Sequence, residues 1–165
     1  MASPQVDGHK WRELKRAVDE ENWDVLARTQ DVLDKYMQWR ESVLPQYVSA
    51  EDYLKETIFS WPMEADPVSG RKHALEWPAD RPTPEPVIRL NDFPYSAEPG
   101  IVHQVVWFHP KHALPTFASV MDAIHRKYSP ERFEFLVWEN PLVRKTVPGV
   151  PHWHCFVRAK TIYNS

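Results

Sequence analysis

A chain of 165 residues is long enough for one domain with a hydrophobic core and short for two. Its formal net charge of -3, from 20 Lys and Arg against 23 Asp and Glu, argues against binding nucleic acid or an acidic membrane through a positive field. The single Cys155 excludes an internal disulfide, and the N-terminus MASPQVDGHKWREL lacks the apolar run of a signal peptide. We therefore expect a cytoplasmic protein without nucleic-acid or membrane partners.

The first third of the chain predicts helices. Apolar residues between Leu26 and Leu44 recur at spacings of three and four, which is typical of an amphipathic helix, and Asn22 is a candidate N-cap for it. Ser49 followed three residues later by Asp52 has the spacing of a capping box and predicts a second, short helix. We assign residues 1–61 to a helical extension.

Residues 62–85 predict a proline-rich connection. Six prolines lie between Pro62 and Pro86, Ser69-Gly70 is a turn signal, and neither a helical nor a strand period is sustained. A connection of this length inside a compact domain either wraps the surface or covers a site.

Residues 86–160 predict four strands and one helix. β-branched and aromatic residues mark strands at 87–90, 101–108, 132–138 and 153–159. Between the second and third strands, the apolar residues from Leu114 to Tyr128 recur at helical spacing. The order predicts an α+β fold in which an antiparallel or mixed sheet is packed by this helix, within one domain spanning 1–165.

His152 and His154 occupy alternate positions of the last predicted strand. Both imidazoles share one face with Phe156, whereas Trp153 and Cys155 point to the other face, which excludes a Cys-His nucleophile pair. A neutral imidazole serves as nucleophile, general base or metal ligand near neutral pH. The same pattern also suits ordinary sheet histidines that are hydrogen-bonded to backbone or water.

The order of the later motifs resembles the histidine-triad superfamily. The matching blocks are Asn91-Asp92-Phe93-Pro94, the segment 99–106, Pro110-Lys111-His112, the helix, and Val150-Pro151-His152-Trp153-His154. The resemblance implies attack on a nucleotide phosphate by His154, flanked by His152, with Phe156 standing where the superfamily has its third histidine. Because a phenylalanine donates no hydrogen bond to a phosphate oxygen, this departure favours another use of the pocket.

A closer likeness extends over nearly the whole chain, which is similar to the fungal N-acetylglucosamine-induced protein family. It rests on Asn91-Asp92-Phe93-Pro94-Tyr95, on the segment 99–107, on the segment 146–154, and on weaker matches in the helical extension. The likeness implies a protein of fungal metabolism.

We predict a histidine-lined pocket. His103, near the start of a neighbouring strand, is expected to meet His152 and His154 across the sheet, and these three are the candidate catalytic residues. Three imidazoles would also suit a divalent metal, although no cofactor is required. The candidate substrate-binding residues, each of which also suits a turn or the core, are Asp92, Tyr95, Trp107, Asn140 and Phe156.

Three functions follow as hypotheses. The first is a small-molecule enzyme, such as a lyase or decarboxylase-type tailoring enzyme of secondary metabolism, in which imidazoles transfer protons. The second is a nucleotide phosphate hydrolase or transferase that acts through His154. The third is a non-catalytic protein that binds a metabolite or regulates. The fold alone does not decide among them.

Overall fold

The computed structural model describes residues 8–161, so residues 1–7 and 162–165 of the predicted single domain lie outside the described residues. The described chain contains four α-helices, six strands and three short 3-10 turns. In chain order the helices and strands are α1 (Trp11–Asp19), α2 (Gln30–Ser42), α3 (Ala50–Phe59), β1 (Met63–Ala65), β2 (Lys72–Ala74), β3 (Val87–Leu90), β4 (Val102–Trp107), α4 (Phe117–Lys127), β5 (Phe133–Trp138) and β6 (His152–Ala159). The α+β class is confirmed.

The central sheet has four antiparallel strands in the order β3-β4-β6-β5, which settles the alternatives of an antiparallel or mixed sheet. β6 lies between β4 and β5, so its side chains have neighbours on both sides. The register pairs His154 with Val105 and Trp138, and Phe156 with His103 and Leu136. All six of these side chains therefore share one face of the sheet.

The opposite face packs against α4. Thr116 caps this helix by accepting the Ser119 backbone N–H at 3.1 Å, and Ser119 Oγ accepts the Thr116 N–H in return. Val120 and Ile124 are buried against Val106, Cys155 and Val157. The predicted apolar stripe is wrong at its start, because Leu114 precedes the helix and both it and Phe117 remain exposed.

The face that carries the histidines is covered in part by α1. Trp11, Leu14 and Ala17 lie on one side of this helix and are buried with Leu136 and Phe156. Helices thus pack on both faces of the sheet. The sequence interpretation assigned α1 to an extension beyond the core, whereas its buried face makes it part of the core.

Of the two capping predictions, the one for Ser49 is confirmed and the one for Asn22 is wrong. Ser49 caps α3 as predicted, accepting the Asp52 N–H at 3.1 Å. Asn22 is not the cap of the long helix; it precedes a 3-10 turn and makes no capping hydrogen bond. α2 begins later, where Thr29 accepts the Val32 N–H. Leu26, buried against α1, fixes the chain between these elements, so no single helix runs from residue 22.

The proline-rich connection contains a short hairpin, β1 and β2, that the sequence pattern did not predict. Its turn is the predicted one: the Asp66 carboxylate accepts the Val68 and Ser69 N–H groups at 2.9 and 2.7 Å, and Gly70 has a φ of 71°. Trp77, further along the connection, is buried with Trp61. The connection therefore follows a defined path over the surface of the domain and packs against it. None of the helices within residues 8–161 is long and apolar enough to cross a bilayer.

Candidate functional site

A cavity of about 560 Å³ lies between the histidine-bearing face of the sheet and helices α2 and α3. Its volume falls in the range of small-molecule sites. The sheet and the following loops contribute Tyr95, Trp107, Asn140, His152 and His154. The helices contribute aromatic and aliphatic side chains, which include Tyr36, Trp39, Tyr53 and Leu54. The helical extension is thus a wall of the cavity.

A line of hydrogen-bonding groups runs beneath the cavity. The Tyr95 backbone N–H donates to His103 Nδ1 at 3.1 Å, and His103 Nε2 lies 2.9 Å from His154 Nδ1. His154 Nε2 lies 3.1 Å from Asn140 Nδ2, and Asn140 Oδ1 accepts the Trp138 indole N–H at 2.9 Å. Four consecutive contacts therefore connect a backbone amide to an indole.

Both imidazoles in this line are neutral. Burial lowers the pKa of His103 to about 3 and holds the pKa of His154 well below its ordinary value. The nearby Arg28 guanidinium lowers the pKa of both groups further. Each ring therefore carries one N–H and one lone pair near neutral pH.

The two ends of the line fix the tautomers. Because His103 Nδ1 accepts the Tyr95 amide, His103 carries its proton on Nε2 and donates to His154 Nδ1. His154 then carries its proton on Nε2, which faces the amide nitrogen of Asn140, a second donor. If the Asn140 amide is flipped, its oxygen accepts from His154 Nε2–H and its nitrogen faces the Trp138 indole N–H. The two opposed donors are then Asn140 and Trp138. In either orientation the line has one N–H more than its acceptors can take.

An acceptor oxygen of a bound molecule would resolve this surplus. His154 and Asn140 both line the cavity, so an oxygen that approached them from the cavity could accept both N–H groups. The Asn140 amide also donates to the Tyr95 hydroxyl at 3.4 Å, which holds it in place. The arrangement is that of a donor pair for a carbonyl, carboxylate or phosphate oxygen.

His152 has the opposite arrangement. Its Nδ1 lies 2.9 Å from the Val150 carbonyl oxygen, so Nδ1 carries the proton and Nε2 the lone pair. Burial lowers the pKa of His152, which keeps the ring neutral near pH 7. Nε2 has no hydrogen-bond partner within residues 8–161, and this atom is not fully buried. The lone pair is therefore open to the cavity.

The charge on the cavity wall is mainly positive. Among the described residues, four arginines line it, Arg28, Arg40, Arg89 and Arg144, and Asp92 contributes the one carboxylate. Asp92 lies 3.7 Å from Arg89, which leaves an excess of guanidinium groups. Such a wall favours an anionic ligand.

The predicted site residues are mostly brought together. Asp92, Tyr95, Trp107, Asn140, His152 and His154 line the cavity. His103 meets His154 across the sheet as predicted, but it lies behind the lining and is buried. Phe156 does not reach the cavity: it is fully buried, with its ring 5.0 Å from His103 and 4.9 Å from Trp138. Its place in the sequence motif therefore corresponds to core packing.

The three imidazoles do not form the metal site that the sequence suggested. His103 Nε2 and His154 Nδ1 point at each other across 2.9 Å, which commits both nitrogens to one hydrogen bond. Within residues 8–161 no group of three or more His, Cys, Asp or Glu is arranged to hold a metal ion.

Sequence reasoning missed the contribution of the helical extension. Arg28 offered no pattern that would single it out, and Arg144 was indistinguishable from a surface charge. Tyr36 and Trp39, three residues apart in α2, were the available signal, since they place two aromatic rings on one side of a helix. The sequence interpretation placed Tyr36 on the apolar stripe of the helix and gave Trp39 no place on it.

Comparison with solved structures supports the fold. A crystal structure of HTC1 is similar to this chain with a TM-score of 0.55 at 24% identity, over 92% of this chain and 85% of that one. At this identity the likeness bears on the fold alone. It does not show a histidine-triad relationship, which stays a prediction.

Two fungal relatives are similar over most of the chain. The uncharacterized protein YPL067C of Saccharomyces cerevisiae is 26% identical over 140 residues, which cover 85% of this chain and 65% of that protein. N-acetylglucosamine-induced protein 1 of Candida albicans is 21% identical over 175 residues, with 92% and 69% covered. The chain thus spans about two thirds of the length of each relative.

The predicted similarity to fungal N-acetylglucosamine-induced proteins is confirmed by the second of these relatives. A family described as "Protein of unknown function (DUF3605)" matches residues 10–158, from α1 to the end of β6. Since this match covers nearly all of the described residues, the chain belongs to the DUF3605 family.

Proposed function

We propose that this protein is a small-molecule enzyme of fungal metabolism, with its active site in the cavity above the sheet and His152 as the reacting group. The observation that carries the proposal is the state of His152: a neutral imidazole, fixed through Nδ1 on the Val150 carbonyl, whose Nε2 lone pair is open to the cavity. A base needs this combination of fixed tautomer and free lone pair.

The donor pair supplies the second element of a reaction. In an elimination, His152 Nε2 takes a proton from a substrate carbon while the leaving group departs with its bonding electrons. The substrate oxygen that gains charge in this step can accept the N–H groups of His154 and Asn140. A lyase or decarboxylase-type step uses both elements, and His103 acts as a positioning residue through His154.

The histidine-triad resemblance supports a second candidate, hydrolysis or transfer at a nucleotide phosphate. The arginines of the cavity wall suit phosphate. For this chemistry, however, we propose His152 as the attacking residue in place of His154, because His154 has no free lone pair: its Nδ1 accepts from His103 and its Nε2 carries the proton. The Nε2–P bond would form as the bond from phosphorus to the leaving group breaks, and water would then release the nucleotide.

The test is turnover by the purified chain with a panel of carboxylate metabolites, nucleotides and nucleoside phosphoramidates, followed by mass spectrometry of products and protein. We expect His152→Ala to lower turnover by about 10²–10⁴. His125→Ala, an exposed histidine on α4, is the matched control and should leave turnover unchanged.

A nucleotidyl adduct at His152 would select the phosphate reaction over proton transfer. An adduct at His154 would contradict our assignment of the attacking residue. Binding of a panel compound without turnover, at equal affinity in the wild type and His152→Ala, would favour the binding or regulatory protein and overturn the proposal of an enzyme.

A further inference from the structure

Helix α2 presents aromatic rings to the cavity instead of to a core. Within its thirteen described residues no side chain is buried, although Tyr36 and Trp39 are half-buried. A helix of this length is marginal without a packed face. The packed face here is a cluster of rings, because Trp39 lies 5.1 Å from Tyr53 and 5.5 Å from Phe93, and Tyr36 lies 5.2 Å from Phe93.

We call Tyr36, Trp39, Tyr53 and Phe93 the aromatic wall. All four line the cavity and all four are half-buried, so their rings pack on one another and still face open space. Aromatic faces bind other planar rings through large buried area and offset or edge-to-face contact. The wall is therefore suited to a planar ring.

Arg28 connects the aromatic wall to the imidazoles. Its guanidinium carbon lies 5.7 Å from the ring centre of Tyr36 and 5.0 Å from that of Tyr95, and Tyr95 in turn lies 4.8 Å from the ring of His103. Nε donates to the Phe93 carbonyl at 2.6 Å, which fixes the orientation of the guanidinium.

The rest of the Arg28 guanidinium is free. Within residues 8–161 its terminal nitrogens have no hydrogen-bond partner and its charge has no carboxylate partner. By contrast, Arg144 donates both terminal nitrogens to the carbonyls of Trp23 and Leu26. A half-buried guanidinium that is fixed, charged and unpaired in a cavity is a receptor for an anionic group.

We propose that the cavity binds a ring-bearing organic anion, a molecule with a planar aromatic or heteroaromatic ring and a carboxylate or phosphate group. The ring lies on the aromatic wall, and the anionic group lies on Arg28, next to the donor pair of His154 and Asn140. This inference names the ligand class of the site and rests on the proposed function for its location. It makes the helical extension the element that determines specificity.

The experiment is calorimetric titration of the full chain with four probes: 1-naphthoate, 1-naphthyl phosphate, neutral 1-naphthamide and cyclohexanecarboxylate. We expect at least one naphthyl anion to bind with a Kd below about 1 mM, and naphthamide and cyclohexanecarboxylate to bind at least about tenfold more weakly. The ratio of the Kd values of 1-naphthoate and 1-naphthyl phosphate shows which anionic group the site prefers.

Variants separate the two halves of the ligand site. Arg28→Gln should weaken the preferred anion about tenfold or more and abolish its advantage over naphthamide, while Arg28→Lys keeps the charge and recovers part of the affinity. Trp39→Leu should abolish the advantage of the naphthyl ring over cyclohexane. Met37→Ala, on the same helix and outside the cavity lining, should match the wild type. Circular dichroism of each variant checks its fold.

Equal binding of naphthoate and naphthamide, an unchanged Kd in folded Arg28→Gln, or no binding of either naphthyl anion would each overturn the inference. Its failure differs from failure of the proposed enzyme. Arg28-dependent probe binding without turnover of any panel compound leaves the inference standing and removes the enzyme. Turnover of a panel compound by a chain that binds neither naphthyl anion does the reverse.

Discussion

The two faces of the central sheet are built from the same strands but differ in what lies against them. On β6, Cys155 and Val157 point to the α4 face, where they are buried among apolar side chains. His152 and His154 point to the other face, where a cavity separates the sheet from α2 and α3. The alternation of a strand thus places buried polar groups one residue from an apolar core.

The difference lies in what covers each face. α4 presents an apolar stripe that packs directly on its face, whereas α1 covers the histidine face only at the end where Phe156 lies. The remainder is covered by α2 and α3, whose aromatic side chains leave the cavity. The imidazoles are accordingly buried enough to stay neutral and open enough, at His152, to meet a ligand.

The largest expected effect is on stability at low pH, and it comes from the histidine face. Burial lowers the pKa of His103 to about 3 and also lowers the pKa of His152 and of His154. An unfolded histidine titrates near 6.5, so below that pH the unfolded chain takes up protons that the folded one does not. Well below pH 6.5, the free energy of unfolding should fall by up to about 1.4 kcal/mol per pH unit for each imidazole that stays neutral in the folded chain. Burial also lowers the pKa of His109, which adds to this fall.

Urea denaturation between pH 7 and pH 5 measures this slope. His103→Gln should reduce the slope, since it removes one of the imidazoles that stay neutral in the folded chain. His125→Gln, at an exposed position of α4, serves as the control and should keep the wild-type slope. Stability that stays constant down to pH 5 would show that the imidazoles are not held neutral by burial.

The next prediction compares the loss of stability when one phenylalanine on each face is truncated. Phe156 on the histidine side and Phe108 on the α4 side are both fully buried. Truncation of either to alanine should cost about 3–5 kcal/mol of unfolding free energy, measured in urea. Only Phe156→Ala should also shift the NMR signals of the His103 ring, which it contacts at 5.0 Å. A small loss for Phe156→Ala would place this residue in the cavity after all.

A smaller effect is expected at Cys155, which lies between the two histidine-face residues His154 and Phe156. Burial raises the pKa of its thiol, and the side chain packs as a small apolar group under α4. Cys155→Ala should cost about 1 kcal/mol. In the folded wild type the thiol should resist disulfide reagents at pH 8 and react once urea unfolds the chain. Rapid labelling of the folded protein would contradict its burial.

The sequence sufficed for the elements that form from regular patterns. Strands β3 to β6 and α4 follow from β-branched runs and a helical period, and the alternation of β6 correctly separated His154 from Cys155. It failed at Leu114 and at Asn22, because α4 and α2 begin at other capping residues, Thr116 and Thr29. The hairpin of β1 and β2 was missed because three-residue strands carry no measurable period.

The site was predictable to the extent that it lies on the sheet. Strand pairing brings His103 to His154, and the motif loops supply Tyr95 and Asn140. The position of Phe156 could not be inferred, since co-facial residues on one strand need not reach the same cavity once α1 covers part of the face. Arg28 could not be found either, because nothing in its local sequence reports that its guanidinium lies unpaired in a pocket.

A tautomer measurement requires no substitution and tests the contrast between His152 and His154 directly. Long-range proton–nitrogen NMR at pH 7.5 should find His152 as the Nδ1–H tautomer and both His103 and His154 as Nε2–H tautomers, because the Val150 carbonyl and the Tyr95 amide fix them. An Nε2–H tautomer at His152 would remove the lone pair on which the proposed base depends.

Asn140→Asp sharpens the same contrast. A carboxylate accepts from both His154 Nε2–H and the Trp138 indole, so this isosteric change removes the surplus donor and adds a negative charge beside His154. The pKa of His154 should rise relative to the wild type, while the His152 tautomer stays as it was, since Val150 still accepts from it. An unchanged His154 titration would show that the side chain at position 140 does not face His154 Nε2, which would remove Asn140 from the donor pair.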